Sequence, residues 1–186
     1  EKYLATVTVR NDQSSRFRQA SNSAFFPAFS VGWRVSEEDF MSGISFIDDL
    51  KVRYGWGKTG NQEIGDYNAY TTFGSGSYNT GYPIDGSDSA ATLGYAPNTF
   101  GNPAAKWEAT LSNNIGLDAA LGGQKLFVEL DLWNRTTTDL LLTVPVIYSA
   151  GDAGAPAVNI GEMYNEGIDF GLTYDDTFGD LNLSIT

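Results

Sequence analysis

The sequence predicts an all-β chain, an antiparallel segment of a transmembrane β-barrel with about seven strands, long extracellular loops and short periplasmic turns. Three observations predict this fold class. Hydrophobic and polar residues alternate with period two, one face of the alternating stretches is free of charge, and long connections alternate with short ones. No apolar run reaches the length that a transmembrane helix needs.

The composition narrows the chemistry open to the chain. It has 186 residues, of which 41% are hydrophobic and 13% aromatic, and this suits one ordinary domain or part of a larger one. The absence of histidine and cysteine excludes thiol and histidine catalysis, disulfides and Cys/His zinc sites. With 23 acidic and 11 basic residues the net charge is -12, so we expect no nucleic-acid partner.

The first three predicted strands lie over 3–10, 25–35 and 50–56. Apolar side chains occupy every second position in each of them, which is the signature of a strand with one apolar face. The residues of this first face are Tyr3, Ala5, Val7 and Val9, then Phe25, Pro27, Phe29, Val31, Trp33 and Val35, then Leu50, Val52, Tyr54 and Trp56.

The remaining predicted strands lie over 107–119, 126–135 and 168–174, and a seventh begins at Leu181. They follow the same rule, and none has the period of a helix. The first face here holds Trp107, Ala109, Leu111, Ile115, Leu117 and Ala119, then Leu126, Val128, Leu130 and Leu132, then Ile168, Phe170, Leu172 and Tyr174, and finally Leu181, Leu183 and Ile185.

The two faces of these stretches differ in charge. Every ionisable side chain lies on the second face, and the first face carries only two amides, Asn113 and Asn134. A face without charge belongs either in a protein core or against lipid.

The connections favour lipid. Long segments over 57–106 and from about 136 to 166 alternate with a compact link at 36–49 and short turns at 122–124 and 175–180. This asymmetry is typical of an outer-membrane barrel. Aromatic residues also lie near both ends of the apolar face, as in interfacial belts: Phe25, Trp56 and Trp107 at the long-loop end, and Tyr3, Trp33 and Tyr174 at the short-turn end.

One alternative remains open at this point. Core aromatics of a soluble β-sandwich, for example a carbohydrate-binding module, would give a similar alternation, because apolar faces look alike in a core and in lipid. In the barrel interpretation, seven strands cannot close by themselves, since single-chain bacterial barrels have an even number of strands. We therefore expect the chain to be a piece of a larger barrel.

Motifs that could carry chemistry are weak. Gly55-Trp-Gly57-Lys-Thr-Gly60 matches a nucleotide-binding spacing, but a polar loop follows it, so we interpret it as a strand end. Ser36-Glu-Glu-Asp39 predicts a capped short helix in the link. Asp85-Gly-Ser-Asp88-Ser89 is either a cation site or a solvated acidic loop, and we favour the loop. The sequence predicts no metal, no cofactor and no catalytic residue, and hence no enzyme.

The long loop is rich in tyrosine among Asn, Ser, Thr and Gly. Such surfaces stack on sugars or hold peptides with little loss of entropy, although the rings could equally pack the loop onto the wall. Tyr67, Tyr70 and Tyr82 are the candidate substrate-binding residues. The full set of tyrosines in this loop is Tyr67, Tyr70, Tyr78, Tyr82 and Tyr95.

Successive blocks of the chain resemble the SusC/RagA-type TonB-dependent transporters of Bacteroidetes. The blocks follow the family order and are specific when taken together. They are Ser14-Ser-Arg-Phe17, Phe25-Phe-Pro-Ala-Phe-Ser-Val-Gly-Trp-Arg34, Ser36-Glu-Glu-Asp-Phe40, Lys58-Thr-Gly-Asn-Gln62, Gly101-Asn-Pro103, Lys106-Trp-Glu108, Asn114-Ile-Gly-Leu-Asp118, Thr138-Asp-Leu-Leu-Leu142 and Asn159-Ile-Gly-Glu-Met163.

The resemblance implies a 22-strand barrel in the bacterial outer membrane, in contact with outer-membrane lipid and closed inside by a plug domain. It implies import of oligosaccharides or peptides, energy supplied through TonB, and a SusD-like surface lipoprotein as a lid. On this basis residues 1–186 are a partial TonB-dependent receptor β-barrel domain. The plug and the N-terminal region that reaches TonB lie outside this sequence.

Overall fold

The computed structural model describes residues 1–76, 80–84, 86, 92–179 and 181–186. Strands dominate these ranges, and they are numbered here in chain order. Their bounds are β1 (Tyr3–Gln13), β2 (Ser23–Arg34), β3 (Ile47–Asn61), β4 (Thr72–Gly74), β5 (Gly81–Tyr82), β6 (Thr92–Leu93), β7 (Ala96–Thr99), β8 (Glu108–Leu121), β9 (Leu126–Thr138), β10 (Leu141–Thr143), β11 (Ala157–Asn159), β12 (Glu162–Phe178) and β13 (Leu181–Ile185).

Seven of the strands form one sheet in the order β1-β2-β3-β8-β9-β12-β13. Every neighbouring pair is antiparallel, and the long strands follow each other across the sheet as they do along the chain. This is the up-and-down pattern of barrel walls. The prediction of about seven antiparallel strands is therefore confirmed. Within the described ranges, no helix is long and apolar enough to cross a membrane.

The long strands extend further toward the long loops than the alternation predicts. β3 continues to Asn61, β9 continues to Thr138, and β12 already begins at Glu162. The added residues are mainly polar, but backbone pairing does not require an apolar side chain, so the ladder continues where the pattern fades. The loops also contain three two-stranded ribbons, β4–β7, β5–β6 and β10–β11, which are too short for an alternation to indicate.

Cross-strand register aligns the apolar positions of neighbouring strands. Val52 lies opposite Leu117, Leu117 opposite Leu130, and Leu130 opposite Phe170. The row nearer the long loops repeats this arrangement with Tyr54, Ile115, Leu132 and Ile168.

This apolar face is uncovered. The side chain of Ile168 is 70% exposed and that of Phe170 is 66% exposed. In a β-sandwich a second sheet would bury such residues. None of the described residues forms a second sheet over this face, so the soluble β-sandwich alternative is not supported by the fold.

Charged residues border the apolar face at both of its ends. Lys58 pairs with Leu111, and Glu166 pairs with Asn134, so both lie on the first face at the long-loop end. Asp176 follows Tyr174 on the same face at the short-turn end. The prediction of a charge-free face therefore holds for the stretches that defined it and not for the full length of the strands. The apolar residues form a band with polar margins.

The short-turn end is fastened by hydrogen bonds from aromatic side chains. The Tyr3 hydroxyl donates to Glu38 Oε1 at 2.6 Å, and Trp33 Nε1 donates to the same oxygen at 3.1 Å. These two bonds, and a further one from Lys2, lower the pKa of the Glu38 carboxyl. An amphipathic ring with its polar atom at the margin of an apolar band suits an interfacial belt.

The predicted capped helix in the 36–49 link is wrong in detail. The link contains two short 3-10 helices, Val35–Glu37 and Asp39–Met41, and neither has a side-chain cap. The Ser36 hydroxyl donates to Asp49 Oδ1 at 2.7 Å, so it secures the start of β3 rather than a helix. A tertiary partner has replaced the local one.

A small apolar cluster connects the loops above the sheet. Phe17, Ile64 and Ala105 are buried, and Leu141, Ala157 and Trp107 pack against them. The Trp107 ring centre lies 5.3 Å from that of Phe17 and 5.5 Å from that of Phe26. Trp107 thus lies at the predicted long-loop end of the apolar face, but it is half-buried in the loop cluster. It precedes β8 by one residue, level with the loops that cover it.

Candidate functional site

The second face of the sheet carries a network of ion pairs. Arg53 Nη2 lies 2.7 Å from Asp131 Oδ2 and 2.9 Å from Asp118 Oδ1, and Lys51 Nζ lies 3.5 Å from Asp118 Oδ2. Gly116 leaves room for the guanidinium, because an added Cβ there would lie 2.6 Å from Arg53 Cζ. The side chains come from β3, β8 and β9, whose register places them side by side. The sequence correctly predicted that charge would gather on this face.

Trp133 forms an aromatic platform on the same face. Its Nε1 donates to Asp169 Oδ2 at 2.9 Å, and its ring covers Gly167 on the adjacent strand β12, where a Cβ would come within 2.6 Å of the ring. The Arg135 guanidinium lies 5.4 Å from the ring centre, within the range of a cation–π contact. This face therefore offers hydrogen-bonding groups of both charges together with an aromatic ring, which suits a hydrated polar solute. The alternation places Trp133 on this second face with Asp131 and Arg135, but it gave no signal that the ring would cover Gly167.

Two of the candidate tyrosines lie in one turn of the long loop. The Tyr70 N–H donates to the Tyr67 carbonyl oxygen at 2.8 Å, and the two side chains are 56% and 72% exposed. The Arg18 guanidinium lies 5.8 Å from the Tyr70 ring centre. Close packing of Gly101 against the backbone of Tyr70 holds this turn in place, since a Cβ at Gly101 would overlap that backbone.

Tyr82 lies elsewhere, on the β5–β6 ribbon, with its side chain 70% exposed. Tyr95 is also exposed, and Tyr78 lies outside the described residues. The rings of Tyr67, Tyr70 and Tyr82 are therefore accessible to a ligand rather than packed onto the wall. Their role in binding stays a prediction.

Asparagine side chains connect the long loop to the β10–β11 region, and sequence patterns missed them. Asn68 Oδ1 accepts from the Ala157 N–H at 2.8 Å, and its Nδ2 donates to the Ala157 carbonyl oxygen at 3.1 Å. Asn102 Nδ2 donates to the same oxygen at 3.0 Å. Asn is common in loops for local reasons, so the sequence gives no sign of partners about 89 residues away.

The glycine motif and the acidic segment named above do not form a nucleotide site or a cation site in the described residues. Gly55 to Gly60 lie inside β3, so the glycine spacing belongs to a strand, as predicted. The described ranges contain no group of three or more His, Cys, Asp or Glu side chains that could hold a metal ion. The acidic segment Asp85-Gly-Ser-Asp88-Ser89 lies outside those ranges except for Gly86.

Comparison with known proteins agrees with this architecture. The family model "TonB dependent receptor-like, beta-barrel" matches residues 1–186. TonB-dependent receptor P39 of Formosa agariphila is 38% identical over 89% of the chain. TonB-dependent receptor SusC of Bacteroides thetaiotaomicron is 34% identical over 100% of the chain. The chain spans 15% and 19% of these two relatives.

Solved structures give the same result. The RagAB peptide importer in its closed-closed state superposes with a TM-score of 0.84, at 30% identity over 99% of the chain. Its open-open state gives a TM-score of 0.83 at 31% identity. In both structures the match covers 19% of the aligned RagAB chain. Relatives of this kind are transporters or receptors of the outer membrane. By its sequence match over 1–186 and its seven-stranded wall, the chain belongs to the TonB-dependent receptor-like β-barrel family.

Proposed function

We propose that residues 1–186 form part of the barrel wall of a TonB-dependent outer-membrane importer of oligosaccharides or peptides. The names of the relatives support this function, since one is the receptor SusC and another the RagAB peptide importer. The plug domain, and the N-terminal region that contacts TonB, would come from outside this sequence. A SusD-like surface lipoprotein would cover the long-loop end, and the protein would perform no covalent chemistry on its cargo.

The division of the sheet into two faces is the observation that carries this proposal. Each long strand supplies about four apolar positions to the band, which is roughly 25 Å along the strand. A strand tilt of about 40° reduces this height to roughly 19 Å, which covers about three quarters of the ~25 Å apolar belt of outer-membrane barrels. The band would face lipid. The ion pairs of Arg53 and the Trp133 platform would then face the lumen.

This orientation places the long loops outside the cell and the short turns in the periplasm. Residues 1–186 contain no cysteine, so a single substitution introduces the one thiol of this part of the protein. In intact cells, an impermeant thiol reagent should label Ser75→Cys in the long loop and spare Ser42→Cys in the 36–49 link. Both serines are exposed and both changes are conservative. Labelling of Ser42→Cys alone would mean that the topology is inverted, and permeabilised cells should label both.

The loop tyrosines would capture the cargo before it enters the lumen. Stacking of a ring on a sugar or a peptide group adds about 0.5–1.5 kcal/mol, taking aromatic pairs as the guide. Three such contacts would hold an oligomer firmly enough for capture and loosely enough for release when TonB acts. The second face carries both charges, so a hydrated cargo would pass along it without meeting one site that binds it too tightly to release.

Replacing Tyr67, Tyr70 and Tyr82 with alanine together should weaken binding to the purified full-length protein by about tenfold or more, because three stacking contacts are lost. Growth on the cognate nutrient should slow in parallel. Tyr148→Ala is the matched control, since this tyrosine is fully exposed in another loop. If the triple variant binds within twofold of wild type, the three rings are not contact residues. Cleavage of the ligand by purified protein would overturn the transport-only proposal.

A further inference from the structure

A groove opens at the long-loop end of the wall, where β2 and β3 separate. Their ladder stops at the pair Ala28–Gly57, next to Pro27, which has no N–H to continue it. Both strands nevertheless extend further, to Ser23 and Asn61. The space between them and the adjoining strands is a cavity of about 650 Å³.

The groove begins where the apolar band ends. Lys58, Leu111 and Thr136 are consecutive cross-strand partners on β3, β8 and β9, and all three line the groove. This row lies next to the row that contains Trp56, on the same face and toward the long loops. If that face meets lipid, as proposed above, the groove lies at the level of the lipid headgroups.

The lining of the groove is apolar with cations at its margin. Ala109, Leu111 and Trp107 supply the apolar surface, with the buried Phe26 behind them, and Lys58 and Lys106 supply the positive charge. Lys106 is neutralised by Asp139 at 2.9 Å. Lys58 is different, because it forms no ion pair with any described residue, whereas the other four lysines of the chain each form one.

A second donor in the lining also has no partner. Trp107 Nε1 is buried, and no acceptor for it exists among the described residues. A buried N–H without an acceptor costs roughly 1–3 kcal/mol, so an occupant that supplies an oxygen would be favoured. Lys58 and Trp107 therefore both offer protons beside an apolar surface, which matches an amphiphile with an anionic oxygen-rich head.

We propose that this groove binds a lipid of the surrounding leaflet through a negatively charged phosphate headgroup. The phosphate accepts hydrogen bonds from Lys58 Nζ and Trp107 Nε1, and an acyl chain lies on Leu111 and Ala109. The inference rests on the proposed lipid-facing orientation. A lipid fits better than cargo does because Lys58 and Leu111 share the face of the apolar band and not the face of Arg53.

Native mass spectrometry of the full-length protein in detergent tests this site. Phosphatidylglycerol and phosphatidylcholine with identical acyl chains are the probes, because they differ in net headgroup charge. Wild type should retain phosphatidylglycerol about fivefold better, which is the effect expected of one basic residue beside an anionic headgroup. Lys58→Met should abolish this preference, and Trp107→Phe, which keeps the ring but loses the donor, should reduce it.

Lys51→Met is the matched control, because it removes a lysine from the opposite face of the same strand. It should leave lipid retention unchanged. Equal retention by wild type and Lys58→Met would overturn the proposal. Displacement of the lipid by inorganic phosphate alone, or by cargo, would also overturn it, since the groove would then bind a free anion or belong to the import path. Loss of lipid with normal uptake in Lys58→Met would support the site and leave the proposed function intact.

Discussion

Replacing Leu130 with arginine in the full-length protein should lower the free energy of unfolding by about 2–4 kcal/mol, the cost of a cation near the bilayer midplane of a barrel wall. Leu130 occupies the middle of the apolar band, between Leu117 and Phe170 in its row. The loss should appear as a smaller heat-resistant folded fraction in detergent and a lower denaturant midpoint in vesicles.

The neighbouring position gives the control for this substitution. Glu129 lies on the second face of the sheet, and its cross-strand partner is Asp118. An arginine at position 129 therefore meets an acidic side chain and water instead of lipid. Glu129→Arg should therefore cost much less than Leu130→Arg. Equal damage from both changes would contradict the assignment of the two faces.

Replacing Arg53 with methionine should destabilise the wall by about 1–2 kcal/mol. The loss leaves Asp118 and Asp131 close together without their shared cation. Breaking a fully buried pair costs about 3–5 kcal/mol, but these side chains remain 19–34% exposed, so water screens part of the effect. The denaturant midpoint of purified protein is the measurement.

A double-mutant cycle can isolate this contact. Adding Asp131→Asn to the Arg53→Met variant should restore part of the stability, because one of the two unpaired carboxylates is then neutral. Arg135→Met is the matched control. Arg135 contacts the Trp133 ring and has no carboxylate partner in the described part of the chain, so its loss should cost about 0.5–1 kcal/mol. A cycle without coupling would show that the pairs on this face do not stabilise the wall.

The wall was predictable from the sequence because one physical rule governs each of its strands. A residue such as Leu130 or Phe170 must meet an apolar surrounding, and its neighbours must not, so the period of two is visible in the sequence. The size of the barrel was expected only from the resemblance to a known family, and it stays a prediction. The margins of the band were less predictable, since Lys58 and Glu166 lie where the alternation ends but the hydrogen-bonded ladder continues.

The loops were not predictable in the same way. The contacts of Trp107, Ser36 and Asn68 depend on which distant segments fold beside them. The local sequence pattern does not identify those segments. The candidate tyrosines show both sides of this limit. Composition correctly indicated an aromatic loop. It did not indicate that Gly101 packs against the turn of Tyr67 and Tyr70, or that Tyr82 lies on a separate ribbon.

The apolar cluster above the sheet has a consequence for engineering by loop exchange. Phe17, Ile64, Ala105 and Leu141 come from three different loops, with Ile64 and Ala105 near the two ends of one of them, and each depends on the others for its burial. A loop moved alone into a related barrel would leave its apolar residue without neighbours and open a hole in the recipient's cluster. A new binding specificity should therefore transfer only when these segments are moved together. They form one structural unit although they are separated along the chain.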